Sequence, residues 1–87
     1  MKTKNRKLDV SALKNRLLDA YTTAYMLDNR IEASEDKAHI ELLRAQIETQ
    51  HTRIDQLIAQ LYEAGVKEHE LIDIKVTAFY IANPLDN

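Results

Sequence analysis

The chain has 87 residues, no cysteine and a formal net charge of −2, which excludes disulfide staples and thiolate metal sites and limits the fold to one small unit. Folding at this size removes only about 60–65% of the unfolded chain's surface, and small domains commonly supplement such a core by recruiting another chain. One glycine and one proline in the whole sequence argue against turn-rich β architectures and make long helices the expected build.

Charge is placed unevenly. Residues 1–16 carry Lys2, Lys4, Arg6, Lys7, Lys14 and Arg16 against Asp9 alone, a balance of +5, while the remainder carries −7. Residues 1–8 are polar, basic and aperiodic, the pattern of a flexible N-terminal arm. Leu8, Asp9, Val10 and Ser11 follow it instead of an apolar run, so no secretory signal is expected. No stretch approaches the roughly 18–20 apolar residues of a membrane span. The lack of cysteine fits a reducing cytoplasm, which is the expected location.

From Val10 a heptad rhythm begins: Val10, Leu13, Leu17, Ala20, Ala24, Leu27 and Ile31 recur at alternating spacings of three and four, which keeps them on one helix face. Asp9 or Ser11 is placed to cap the start. Leu18, Tyr21 and Tyr25 occupy the neighbouring row and widen the face. A second stripe runs through Ile40, Leu43, Ile47, Gln50, Ile54, Leu57 and Leu61. Continuing the first rhythm leads to Ser34, Ala38, Glu41 and Ala45, so the two stripes are out of phase. The slip falls at residues 32–37, where Ser34 before Glu35 and Asp36 reads as a helix start: a capping hydroxyl, then carboxylates at the positive end of the dipole. A tight turn near 32–35 joining antiparallel helices follows; the rival is one continuous helix with a stutter.

Gly65 after Ala64 closes the second helix, with Val66 placed to touch Leu61 as such a cap prefers. The tail from Lys67 has two readings. Ile72, Ile74, Val76, Ala78 and Tyr80 alternate with Asp73, Lys75, Thr77 and Phe79 at strand period. As a helix, Ile72, Val76, Phe79 and Tyr80 share a face and Pro84 supplies the stop. A lone strand has no partner in this chain, so a third helix folded on the hairpin fits better. The expected fold is all-α: an antiparallel, coiled-coil-like helical hairpin with a short third C-terminal helix. Its parts are an arm over 1–8, a domain over 9–82 (helix 9–32, helix 35–64, helix or strand 67–82) and a tail over 83–87.

Signs of chemistry are scarce. His39, His51 and His69 are far apart, and His51 with Asp55 one turn later makes only a two-ligand pair, so no metal is expected. The hydroxyls at Ser11, Thr22, Thr23, Ser34, Thr49, Thr52 and Thr77 lack the setting of an activated nucleophile. A single glycine excludes a glycine-rich phosphate loop, and no catalytic residue or cofactor is expected. A helix-turn-helix at Gly65 would send Glu68, Glu70 and Asp73 towards phosphates, which repel them.

The expectation is a non-catalytic protein-interaction or assembly module, self-associating as a dimer and binding a protein partner. Its oligomer or core seam comprises Leu13, Leu17, Leu27, Ile31, Ile40, Leu43, Ile47, Gln50, Ile54, Leu57 and Leu61. Gln50, the one polar member of the second stripe, is the type of residue that fixes register or oligomer state. Tyr21, Tyr25, Phe79 and Tyr80 form the candidate partner surface, tyrosine being enriched at interface hot spots; the alternative is that both α-helical tyrosines simply flank the core. Small phage- or plasmid-type accessory proteins, secretion chaperones and assembly factors share this build, at the level of fold alone. The second reading is a nucleic-acid-associated regulator using Lys2, Lys4, Arg6, Lys7, Lys14 and Arg16 on phosphates or an acidic partner. No aromatic interleaves that arm to stack a base.

Overall fold

A computed structural model describes residues 3–85, with side chains described from Val10 onward. Three helices follow in order, α1 (Thr3–Ala33), α2 (Lys37–Glu63) and α3 (Glu68–Ala82), and no strand occurs among the described residues. The chain is therefore all-α, a helical hairpin with a short third helix. The alternating pattern of residues 72–80 gives way to helix because Leu71, Ile74 and Ala78 then turn towards one neighbour, where Leu71 and Ala78 are buried.

α1 begins at Thr3, so the backbone of residues 3–8 is helical where the sequence predicts an arm, and Asp9 and Ser11 lie inside the helix instead of capping it. The physical reason is propagation. Once Val10 to Ile31 is helical, each residue added upstream gains a hydrogen bond, and Lys, Arg and Leu resist this little while no glycine or proline stops it. The side chains of Lys2, Lys4, Arg6 and Lys7 lie outside the described residues.

The first connection is residues 34–36, one to two residues later than the spacing suggests. Asp36, and not Ser34, is the N-cap of α2: its backbone is extended (φ −89°, ψ 113°) and its Oδ1 accepts from the Ala38 N–H at 3.1 Å. Ser34 acts one step earlier, its Oγ accepting from the Asp36 N–H at 3.3 Å. Both side chains carry a suitable acceptor, and the path of the turn decides which reaches the helix.

The second connection matches its sequence signal closely. Gly65 has φ +92°, the Gly65 N–H donates to the Tyr62 carbonyl at 3.0 Å, and the Val66 N–H donates to the Leu61 carbonyl at 3.0 Å. This pair of bonds is the Schellman motif, and Val66 is buried in the same cluster as Leu61. α3 ends on Asn83, whose backbone N–H and side-chain amide both donate to the Phe79 carbonyl at 2.9 and 3.0 Å, just before Pro84.

α1 packs on both other helices, whereas α2 and α3 scarcely meet. α2 runs antiparallel to α1. α3 runs parallel to it, as Lys14 meets Glu70, Tyr25 meets Phe79 and Asn29 meets Asn83. The core gathers Leu17, Ala20, Ala24, Ile54, Leu57, Leu61, Val66 and Leu71, with Val10, Leu13, Ile58 and Ile74 against it. Of the seam residues, Leu17, Leu27, Leu43, Ile54, Leu57 and Leu61 are buried, and Leu13, Ile31, Ile40, Ile47 and Gln50 are half-buried. Both stripes are thus spent on each other inside one chain. The molecule is flat, 53 × 32 × 17 Å, with a radius of gyration of 15.2 Å, against about 12 Å for a compact chain of this length.

Candidate functional site

Because α2 and α3 flank α1 and diverge, a groove opens between them with α1 as its floor. Tyr21, Ala24, Tyr25 and Asp28 line it from α1, Ile47, His51, Ile54 and Asp55 from α2, and Lys75 from α3, around a volume of roughly 380 Å³. Towards the Gly65 turn the groove continues past Ile58 and Tyr62 on one side and Glu68, Leu71 and Ile72 on the other. Tyr21 and Tyr25 stand at i, i+4, so they share one face of α1 by helix geometry.

The aromatic rings form a run. Tyr21 and Tyr25 are stacked with centroids 6.4 Å apart and planes at 19°. Tyr25 meets Phe79 edge-on at 5.4 Å and 86°, and Phe79 meets Tyr80 at 5.6 Å and 80°. These are the offset and perpendicular arrangements that ring quadrupoles favour. The four candidate partner-surface residues therefore come together across α1 and α3, although more than fifty residues separate the two pairs in sequence. The Lys75 ammonium lies 6.0 Å above the Tyr21 ring centre, within reach of a cation–π attraction. Burial holds the Tyr21 hydroxyl above its ordinary pKa, and Tyr25, Asp55 and Tyr62 nearby raise it further.

The groove edge carries the polar groups His51, Asp55, Asp28 and Lys75, all exposed. Asp28 and Asp55 take part in no ion pair among the described residues, where the pair that forms is Lys14 with Glu70 at 2.8 Å. The basic set is thus divided: Lys14 is held by α3, Arg16 is exposed, and the other side chains lie outside the described residues. No group of three or more His, Asp and Glu side chains placed to hold a metal occurs among the described residues. No helix there is long and apolar enough to cross a membrane.

The tyrosines are legible in the sequence, whereas the groove is not. Asp28, Asp55 and Lys75 belong to three different helices, so their convergence depends on how the hairpin closes and where α3 lands. The one local signal is His51–Asp55 at one-turn spacing, a polar pair beside the apolar stripe. In comparisons with known proteins, the chain matches no family model, no curated protein and no solved structure.

Proposed function

We propose that the protein is a non-catalytic helical interaction and assembly module that pairs with a second copy through α3 and offers its tyrosine groove to a protein partner in the cytoplasm. The observation that carries this reading is uncovered surface. The accessible area is 6480 Å², whereas a folded monomer of this mass exposes about 5,300 Å². The excess is on the scale of the roughly 800 Å² that each partner buries in a standard interface. Part of the uncovered surface is an apolar stripe of α3, where Ile72, Val76, Phe79 and Tyr80 are 50, 47, 45 and 54% exposed. Spaced i, i+4, i+7 and i+8, these residues make a face that a second α3 can cover.

Sedimentation equilibrium tests the pairing. The wild type is expected to dimerise reversibly, and Val76→Asp with Tyr80→Asp to be monomeric with unchanged helix content, both positions being exposed. A wild-type chain that stays monomeric at high concentration overturns the self-association. Of the basic residues behind the nucleic-acid reading, Lys14 pairs with Glu70 and Arg16 is exposed. That reading's own test is duplex binding that falls steeply with salt and disappears on deleting residues 2–7.

A further inference from the structure

The Tyr21–Tyr25 groove is a receptor for an arginine side chain, we infer, presented by a partner protein. This rests on reading the chain as an interaction module, but not on its dimerisation. Tyr21 and Tyr25, near-parallel with centroids 6.4 Å apart, line the cavity from α1, and Asp28 and Asp55 line the same cavity. Aromatic faces and carboxylates in one pocket favour the same guest: a flat cation that stacks on a ring while its N–H groups fork onto an acid.

Charge supports that occupant. Asp28 and Asp55 have no ion-pair partner among the described residues, so the groove holds two uncompensated anions against the single cation Lys75. Size agrees, since roughly 380 Å³ falls within the usual range of ligand pockets. The protein also supplies its own precedent for a cation here. The Lys75 ammonium already lies over Tyr21 at 6.0 Å, a distance at which the attraction is weak and a closer guanidinium competes successfully. Lys75 is then an internal placeholder, displaced when the partner's arginine enters.

The experiment is an NMR titration of the full chain with N-acetyl-arginine amide, and in parallel with the citrulline analogue, which keeps the shape and loses the charge. Saturable shifts confined to the backbone amides of Tyr21, Tyr25, Asp28, His51 and Asp55 are expected with arginine, at least tenfold weaker with citrulline. The exposed double variant Asp28→Asn/Asp55→Asn should lose binding by a similar factor. Lys75→Gln should strengthen it several-fold. Equal binding of the two probes, absence of localised shifts, or an unaffected double variant each overturns the proposal. Loss of the dimer in Asp28→Asn/Asp55→Asn also overturns it, because the groove would then belong to the second copy. A monomer that still selects arginine removes self-association and leaves the receptor intact, so the two readings fail separately.

Discussion

Glu70 joins the start of α3 to Lys14 of α1, fifty-six residues earlier, while closing its own helix end. One carboxylate oxygen accepts from the Lys14 ammonium at 2.8 Å and the other from the Lys67 backbone N–H at 3.4 Å. The second bond is half of a capping box; Lys67 has no side-chain acceptor to complete it. A single side chain thus contributes both to the start of α3 and to its contact with α1, beside the buried Leu71 and Ala78. The two demands coincide because Glu70 is the third residue of α3 and faces α1.

That double role gives a pH signature. The hydrogen bond from Lys14, then that from Lys67, holds the Glu70 carboxyl below its ordinary 4.5. A depressed carboxylate contributes stability at pH values above the unfolded-state pKa and loses it as pH falls through the folded one. Urea midpoints of the wild type and Glu70→Gln should therefore differ at pH 7 and converge below pH 4.5. The gap should be small, since the pair is about one-third exposed and water screens it. A difference that persists at low pH would assign the effect to helix capping by the neutral side chain.

Gly65 tests the second connection. A Cβ added there meets nothing within 4 Å, so the cost of Gly65→Ala is the backbone's alone. At φ +92° that cost is about 1 kcal/mol, and Asn, which tolerates the left-handed region better, should lose roughly half as much. The denaturant midpoint should fall with no change in the slope of the transition. Equal effects for Ala and Asn would mean that the turn relaxes away from positive φ.

The first connection shows how far local sequence carries. Gly65 was legible because a positive φ strongly favours one residue type, and the chain has a single glycine. The Ser34–Asp36 segment offers two competent caps, two residues apart, and nothing local chooses between them. The two core stripes were legible because their spacing is internal to each helix. The groove was not, because Asp28 shares a cavity with Asp55 only once the hairpin closes, and Tyr25 meets Phe79 only once α3 settles parallel to α1. Asp36→Ala should cost about 1 kcal/mol by removing the cap on Ala38. Ser34→Ala, which frees only the exposed Asp36 N–H, should cost a few tenths of that. The reverse order in urea unfolding would move the cap back to Ser34.

Gln50 separates two ways of using the helical seam. It is half-buried between α1 and α2, beside Thr23, Leu27, Arg30, Gln46 and Thr49. Leucine there removes the cost of partly dehydrating an amide and adds apolar contact with Leu27, a gain of about 0.5–1 kcal/mol. If the seam closes within one chain, Gln50→Leu raises the melting temperature and leaves the sedimentation profile unchanged, because the proposed pairing surface is on α3. If two chains exchange hairpin arms, the same substitution acts at an intermolecular position. The oligomer distribution then broadens as the polar residue that set the register disappears. Thermal unfolding followed by circular dichroism, run beside sedimentation velocity on the same samples, distinguishes the cases. A rise in stability with a single unchanged boundary is the expected result, and an unchanged melting temperature would place Gln50 outside the seam.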